Sequence, residues 1–246
     1  MGGDAVDFVR RFYNKTYPEA VEYLLGGACG TLIAAPPVEK ERKPFALPPK
    51  NDNMRRVYAY LVGVRKIDPG VLSTFVRRKM IYESADYHNA VFVGYDKDGI
   101  PRHAHKRGTG QTSTYKGNVD GSIPEYSFHW HGTSENLYTF EAPIDMLSYI
   151  TLHKEGWEQD SYAASCGVSS HVIHQMMRDN PHIKKNYLGH DNDQKGQEAV
   201  ERISEELLEK GIPSEPLTPV LKDWNQDLTN PEEVEEIVCS GSMQLL

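Results

Sequence analysis

From residue 135 onward the chain alternates short β-prone apolar runs with amphipathic segments, and this alternation limits the fold more than any other feature. Residues 137–140, 162–166, 183–188 and a short run near 217–221 read as strands. Between them, residues 144–152, 171–178 and 196–210 have helical spacing. The last is the clearest: Ala199, Val200, Ile203, Leu207 and Leu208 share one face, glutamates occupy the other, and Gly211 ends it. Strands alternating with helices pack as βαβ units, so the expected class is α/β with a Rossmann-like, mainly parallel sheet.

A smaller α+β subdomain is expected upstream. Residues 54–64 and 69–80 are helical, separated by Asp68-Pro69-Gly70, with Asp68 as N-cap and Pro69 in the first turn. Residues 89–95 form a strand, Asp96 to Gly99 a turn, and residues 100–106 the returning strand of a hairpin. Residues 115–130 read as a further hairpin or long loop. The first 30 residues are helical, in two short pieces broken at 14–18. Residues 31–53 are rich in proline and charge and read as a linker. The expected organisation is therefore 1–30, a linker 31–53, a subdomain 54–134, an α/β domain 135–229 and a flexible acidic tail 230–246.

Three acidic clusters follow these strands: Glu141 and Asp145, then Asp191 and Asp193, then Asp223 and Asp227. In an open α/β sheet, ligands bind beyond the carboxyl ends of the strands. Carboxylates converging there repel one another unless a hard cation neutralises them, which points to Mg²⁺. Taken singly, Asp-x-Asp also fits a capping turn.

Basic residues form the complementary set. Arg102, His105, Lys106, Arg107 and Lys116 are candidate contacts for nucleic acid or nucleotide phosphates, with Lys195 beside the second acidic pair. A solvated surface loop is the competing reading of the 102–107 run. Arg55, Arg56, Arg65, Lys66, Arg77, Arg78 and Lys79 extend that surface or simply face solvent on two helices. A formal net charge of −8 excludes a protein that coats nucleic acid everywhere but not one with a local basic groove.

The three cysteines are widely spaced, so neither a disulfide framework nor a zinc site is expected. His129 and His131 lack partners at ligand spacing, and Cys166 reads as a core residue. Residues 165–169 lack the glycine-flanked turn of a nucleophile elbow. No apolar run reaches the roughly 18 residues of a membrane span, and the N-terminus is not a signal peptide, so a soluble cytoplasmic protein with no membrane contact is expected.

The spacing of Glu141 and Asp145, then Asp191-x-Asp193-x-x-Gly196, then Lys222-Asp-x-Asn-x-Asp227, resembles the Toprim domain. That domain is shared by bacterial-type primases, type IA and II topoisomerases and some nucleases. Residues 54–246 further resemble primase-like proteins of plasmids and conjugative elements, through HAHKRG, an FHW segment and D-W-N-x-D. Residues 2–25 resemble the end of the zinc-binding module that precedes a primase core. That module's ligands would lie upstream, so zinc is not expected, and the chain is expected either to be truncated at its N-terminus or to have a misassigned start. Ala142 departs from the glycine that often follows the Toprim glutamate.

The resemblance implies that Glu141 is a general acid/base, that Asp191 and Asp193 hold Mg²⁺, with Mn²⁺ as a substitute, and that Asp145 and Asp223 serve a further metal site. It implies synthesis of short RNA primers on single-stranded DNA from ribonucleoside triphosphates, in replication of a mobile element, with a replicative helicase as a further partner. Two alternatives stay open: a Toprim nuclease, and an inactive DNA-binding remnant. A topoisomerase does not fit, because no catalytic-tyrosine domain can be accommodated.

Overall fold

The computed structural model describes residues 5–13, 15–25, 44–167 and 169–243. It divides into two compact units, Met1–Arg42 and Lys43–Leu246. In the first, α1 (Ala5–Tyr13) and α2 (Tyr17–Leu24) follow one another closely. Glu19 reaches back to accept the Thr16 N–H at 2.7 Å, which satisfies a donor that the helix leaves open. Residues 26–43, which include 31–43 of the expected linker, lie outside the described residues. Residues 44–53, the remainder, are not a free linker. The Tyr82 hydroxyl donates to Pro48 O at 2.7 Å, and Asn51 Nδ2 donates to Glu83 at 2.8 Å, tying this segment to the strand over residues 81–83.

The first helix of the second unit is α3 (Arg55–Tyr58), which widens into a π-helical turn over Ala59–Val64 instead of continuing as an α-helix. The Arg65 N–H bonds to Tyr60 O, five residues back, and Tyr60 and Leu61 turn inward and are buried. Helix α4 (Pro69–Arg77) starts at Asp68, whose carboxylate accepts from Gly70 and Val71. Four antiparallel strands follow in the order β1-β2-β3-β4: Ile81–Glu83, Ala90–Tyr95, Pro101–Arg107 and Lys116–Asn118. Gly94 is required by a close crossing, since a Cβ there would lie 1.8 Å from Tyr126 O.

The second sheet has the order β5-β7-β6-β8-β9. Its strands are β5 (His129–Trp130), β6 (Asn136–Phe140), β7 (Ser161–Ala164), β8 (Lys185–Gly189) and β9 (Ser214–Pro216). All pairs are parallel except β5 with β7. The helices are α5 (Pro143–Leu152), α6 (His171–Asp179), α7 (Gln194–Glu209), α8 (Trp224–Thr229) and α9 (Pro231–Met243). Leu137, Ala163 and Leu188 on one face of the sheet pack with Val172, Ile173 and Met176 of α6 and Ile203 and Leu207 of α7. Phe140 and Tyr162 on the other face join the core that holds α5, α8 and the upstream helices.

That core crosses residue 134. Phe75 of α4 lies within 5.3–5.4 Å of the rings of Phe128, Trp130 and Trp157, so both sheets are built on one aromatic cluster.

Two expectations are corrected. The last strand is residues 214–216, not 217–221, because the N–H groups of Val220 and Leu221 go to the Asp227 carboxylate instead of a ladder. The expected flexible tail is helical over Pro231–Met243, where proline opens the helix and Glu232 and Glu233 suit its positive end. Among the described residues, no helix is long and apolar enough to cross a membrane.

Candidate active site

The parallel register sets the strand ends level: Phe140 pairs with Ala164 on one side and Gly189 on the other. From β6 the chain crosses to β7 on one side, then over to β8 on the other. The sheet therefore reverses its winding between β6 and β8, where an open α/β sheet leaves a crevice. Glu141 is the first residue beyond β6, and Asp191 the second beyond β8. A cleft of about 250 Å³ opens there, and Glu141, Asp145, Asp191 and Asp223 all line it.

Their mutual repulsion is evident. Asp145 is buried in the first turn of α5, and that burial, with the charges of Asp191, Asp223 and Glu141, holds its carboxyl well above the usual range. Asp191 is pushed up to about 6, first by burial and then by Glu141, Asp223 and Asp193, with Lys222 opposing. Four acidic side chains sharing a partly desolvated cleft favour any cation that enters it.

Each residue of Asp223-Trp-Asn-Gln-Asp227 has a part in placing the third acid. Trp224 Nε1 donates to Gly189 O at 3.0 Å, pinning α8 to the end of β8. Asp223 caps α8 by accepting the Gln226 N–H at 2.8 Å. Asn225 donates to Arg65 O and Ser148 Oγ, each at 2.9 Å, and accepts from Arg65 Nη1 at 2.9 Å. Buried Asp227 holds the 220–221 loop, and Asn192 N donates to Lys222 O, joining that loop to the Asp191 segment.

Basic groups share the cleft with these acids. Arg65, Arg107, Lys116 and Lys222 line the same cleft, with His105. The Tyr60 hydroxyl accepts from Arg65 Nε at 2.9 Å and from Arg107 Nε at 3.2 Å, so one phenol positions two guanidinium groups. Among the described residues no carboxylate pairs with Arg65, Arg107 or Lys116. π-Helical turns recur at functional sites, and here the turn supplies that phenol.

The structure therefore brings Glu141, Asp145, Asp191 and Asp223 together with His105, Arg107 and Lys116. It does not bring in four other candidates. Asp193 caps α7 through Gly196 N at 3.0 Å, and its other oxygen faces Lys222 at 3.7 Å. Arg102 pairs with Asp96 at 2.7 Å beside the hairpin turn. Lys106 points to the opposite face of β3 from His105 and Arg107, as strand alternation requires. Lys195 is exposed on the first turn of α7, outside the lining. Sequence reasoning left Tyr60 and Asn225 unassigned, and left Arg65 undecided between surface and site. Their contacts run over long sequence separations, which no local pattern reveals.

The donor set fits a hard divalent cation: carboxylate oxygens, raised pKa values, and cations in the same cleft for the ligand's own negative charge. Among the described residues, no three acidic, histidine or cysteine side chains are arranged to hold a metal by themselves. Mg²⁺ does not need them to be, because it keeps several waters and takes one or two carboxylates plus substrate phosphates.

Residues 138–228 match the Toprim-like family model, and residues 59–134 match a family described as a protein of unknown function, DUF3991. An uncharacterized protein of Bacillus anthracis, pXO2-78, is 26% identical over 257 residues, covering 92% of this chain and 73% of its own. Among solved structures, the Aquifex aeolicus primase (zinc-binding and RNA polymerase domains) is similar at 17% identity and TM-score 0.49, covering 98% of this chain and 71% of that one. The primase fragment of the bacteriophage T7 primase-helicase protein is similar at 18% identity and TM-score 0.47, covering 68% and 70%.

Proposed function

We propose that this chain, whose residues 138–228 are a Toprim-like domain, is the core of a primase-like nucleotidyltransferase that joins ribonucleoside triphosphates on single-stranded DNA. One observation carries the reading: a cleft at the β6/β8 switch point holds four mutually repelling carboxylates together with guanidinium groups that pair with none of them. A metal–nucleoside triphosphate is a ligand that answers both sets.

Mg²⁺, when bound at Asp145, Asp191 and Asp223, would neutralise phosphate charge and act as a Lewis acid. Arg65 and Arg107, held on Tyr60, bind the phosphates, and Lys116 adds a third cation. Glu141 accepts the proton from the attacking 3′-hydroxyl through its carboxylate, the oxygen bonds to the α-phosphorus, and pyrophosphate leaves. Asp193 keeps Asp191 in place by capping α7 and holding Lys222. The motif resemblance to primase-like proteins of mobile elements supports replication of such an element as the setting, with a replicative helicase as partner.

The test is incorporation of labelled ribonucleotides on single-stranded DNA with Mg²⁺ or Mn²⁺, beside Glu141→Gln. Short template-dependent products absent from the variant are expected. Mg²⁺-dependent nicking of the template without products would replace the polymerase reading with a nuclease.

A further inference from the structure

A second concave site lies on the other face of β3. It is a pocket of about 470 Å³ walled by Tyr87 and Tyr115, with Lys106, Arg56 and the 108–110 backbone. The turn between β1 and β2 that carries Tyr87 is strained. Tyr87 and His88, neither of them glycine, have φ of +60° and +52° in succession. The surroundings hold them there. Ser84 Oγ donates to Asp86 O at 2.6 Å and accepts from Asn89 N, Thr109 Oγ1 donates to His88 O at 2.7 Å, and the His88 ring bonds to Glu83. Strain maintained this way concentrates at functional positions. What it presents here is a phenol ring 87% exposed to solvent.

The wall chemistry is selective. Tyr115 is half exposed, and the Lys106 ammonium sits 5.5 Å from its ring centroid. No carboxylate lines the pocket. One open aromatic ring, Tyr87, and a second ring faced by Lys106, with two cations and no carboxylate in the lining, match a single nucleic-acid strand, with a base on the open ring and phosphates on the cations. Location supports the same occupant. Lys116, which lines the catalytic cleft, directly follows Tyr115, so the two sites lie back to back on one edge of this sheet.

We infer that the Tyr87–Tyr115 pocket is a separate docking site for single-stranded nucleic acid, which grips the template outside the reaction cleft by stacking a base on Tyr87. The inference rests on the reading of the chain as acting on a single-stranded template.

Anisotropy of a labelled oligo-dT of about ten nucleotides, read in EDTA, tests it without contributions from a divalent metal. Tyr87→Phe should bind as the parent does. Tyr87→Gly should bind about 5- to 150-fold more weakly, the range for one base lost from one aromatic ring. Its Tm should match or exceed the parent's, because glycine accepts the positive φ. Lys106→Gln should weaken binding and flatten the salt dependence by a slope of about 0.7, one phosphate contact on a single strand. Glu141→Gln should bind normally, which separates this site from the catalytic reading. Unchanged affinity in Tyr87→Gly, an equal loss in Tyr87→Phe, or equal affinity for a duplex of the same length would each overturn it.

Discussion

Arg65 Nη1 donates to Asn225 Oδ1 at 2.9 Å, which fastens the π-helical turn to α8 across 160 residues of chain. The same asparagine gives both Nδ2 hydrogens to Arg65 O and Ser148 Oγ, so a cation of the cleft and the helix that carries Asp223 share one buried side chain. Asn225→Ala would leave the part-buried Arg65 carbonyl and the Arg65 Nη1 without these partners, at about 1–3 kcal/mol for each group orphaned. Urea unfolding should show that loss. Nucleotide incorporation should fall at least as far as the Arg65→Ala variant takes it; full activity in a destabilised Asn225→Ala would sink the positioning role.

Tyr60→Phe removes one oxygen and with it the acceptor for two guanidinium groups. The ring stays in the core, so the fold should hold. Hydrogen bonds to charged groups contribute about 1.5–3 kcal/mol each. The expected result is a rise of about 10-fold or more in KM for the nucleotide with a smaller change in kcat, since phosphate binding is lost while the carboxylates are intact. An unchanged KM would show that Arg65 and Arg107 do not meet the phosphates.

Asp191 has a folded pKa raised to about 6 from an ordinary carboxylate value, chiefly by burial. A raised carboxyl favours the folded state when protonated, so its contribution is fully present below about pH 4 and is lost as pH rises through about 6. Divalent metal needs the ionised form. The Tm gain on adding Mg²⁺ in place of EDTA should therefore be small at pH 5 and grow toward pH 7.5. A gain independent of pH would remove Asp191 from the metal site.

The strand–helix alternation after residue 135 was legible because it depends on local spacing: apolar runs of strand length, glycine and proline at the ends, and one strongly amphipathic helix in α7. The acids were legible for the same reason, since Glu141 directly follows one apolar run and Asp191 lies three residues beyond Leu188, the end of another. What local pattern does not carry is facing. His105, Lys106 and Arg107 read as one basic run, yet only the pairing of β3 with β2 decides that Lys106 lies opposite its two neighbours, and that pairing shifts register at Gly94 and Tyr95. Nor could spacing reveal Tyr60, whose value comes from a π-helical turn and two arginines, one of them 47 residues away. Asp193 shows a third limit. The residue type that holds metal also caps helices, and the two readings separate only when the Gly196 N–H is located.

Buried histidines set an acid limit of opposite sign. Burial is the leading cause that lowers His103 to about 3 and His129 and His190 to about 4. Stability from a neutral buried histidine is present above its unfolded pKa near 6.5 and is lost as pH falls toward the folded value. In an Asp145→Asn, Asp191→Asn background, which removes the two opposing carboxylates, the unfolding free energy should drop between pH 6.5 and 4. The slope should reach about 1.4 kcal/mol per pH unit for each histidine engaged. A flat profile would mean that these rings are solvated.

Gly196 tests how finely Asp191 is placed. A Cβ at this position would lie 2.0 Å from Asp191 O, so the start of α7 packs directly on the backbone of the acid. Gly196→Ala suits the helix, since alanine is favoured over glycine there by about 1 kcal/mol. The clash nonetheless must push either α7 or the Asp191 segment away, and the Asp193 cap on the Gly196 N–H goes with it. A shift of about 1 Å in a catalytic group costs on the order of 100-fold in rate. We expect a folded Gly196→Ala protein that loses Mg²⁺-dependent activity by about that factor while oligo-dT binding in EDTA is retained. Activity within a few-fold of the parent would show that Asp191 tolerates displacement and is not a ligand held to tight geometry.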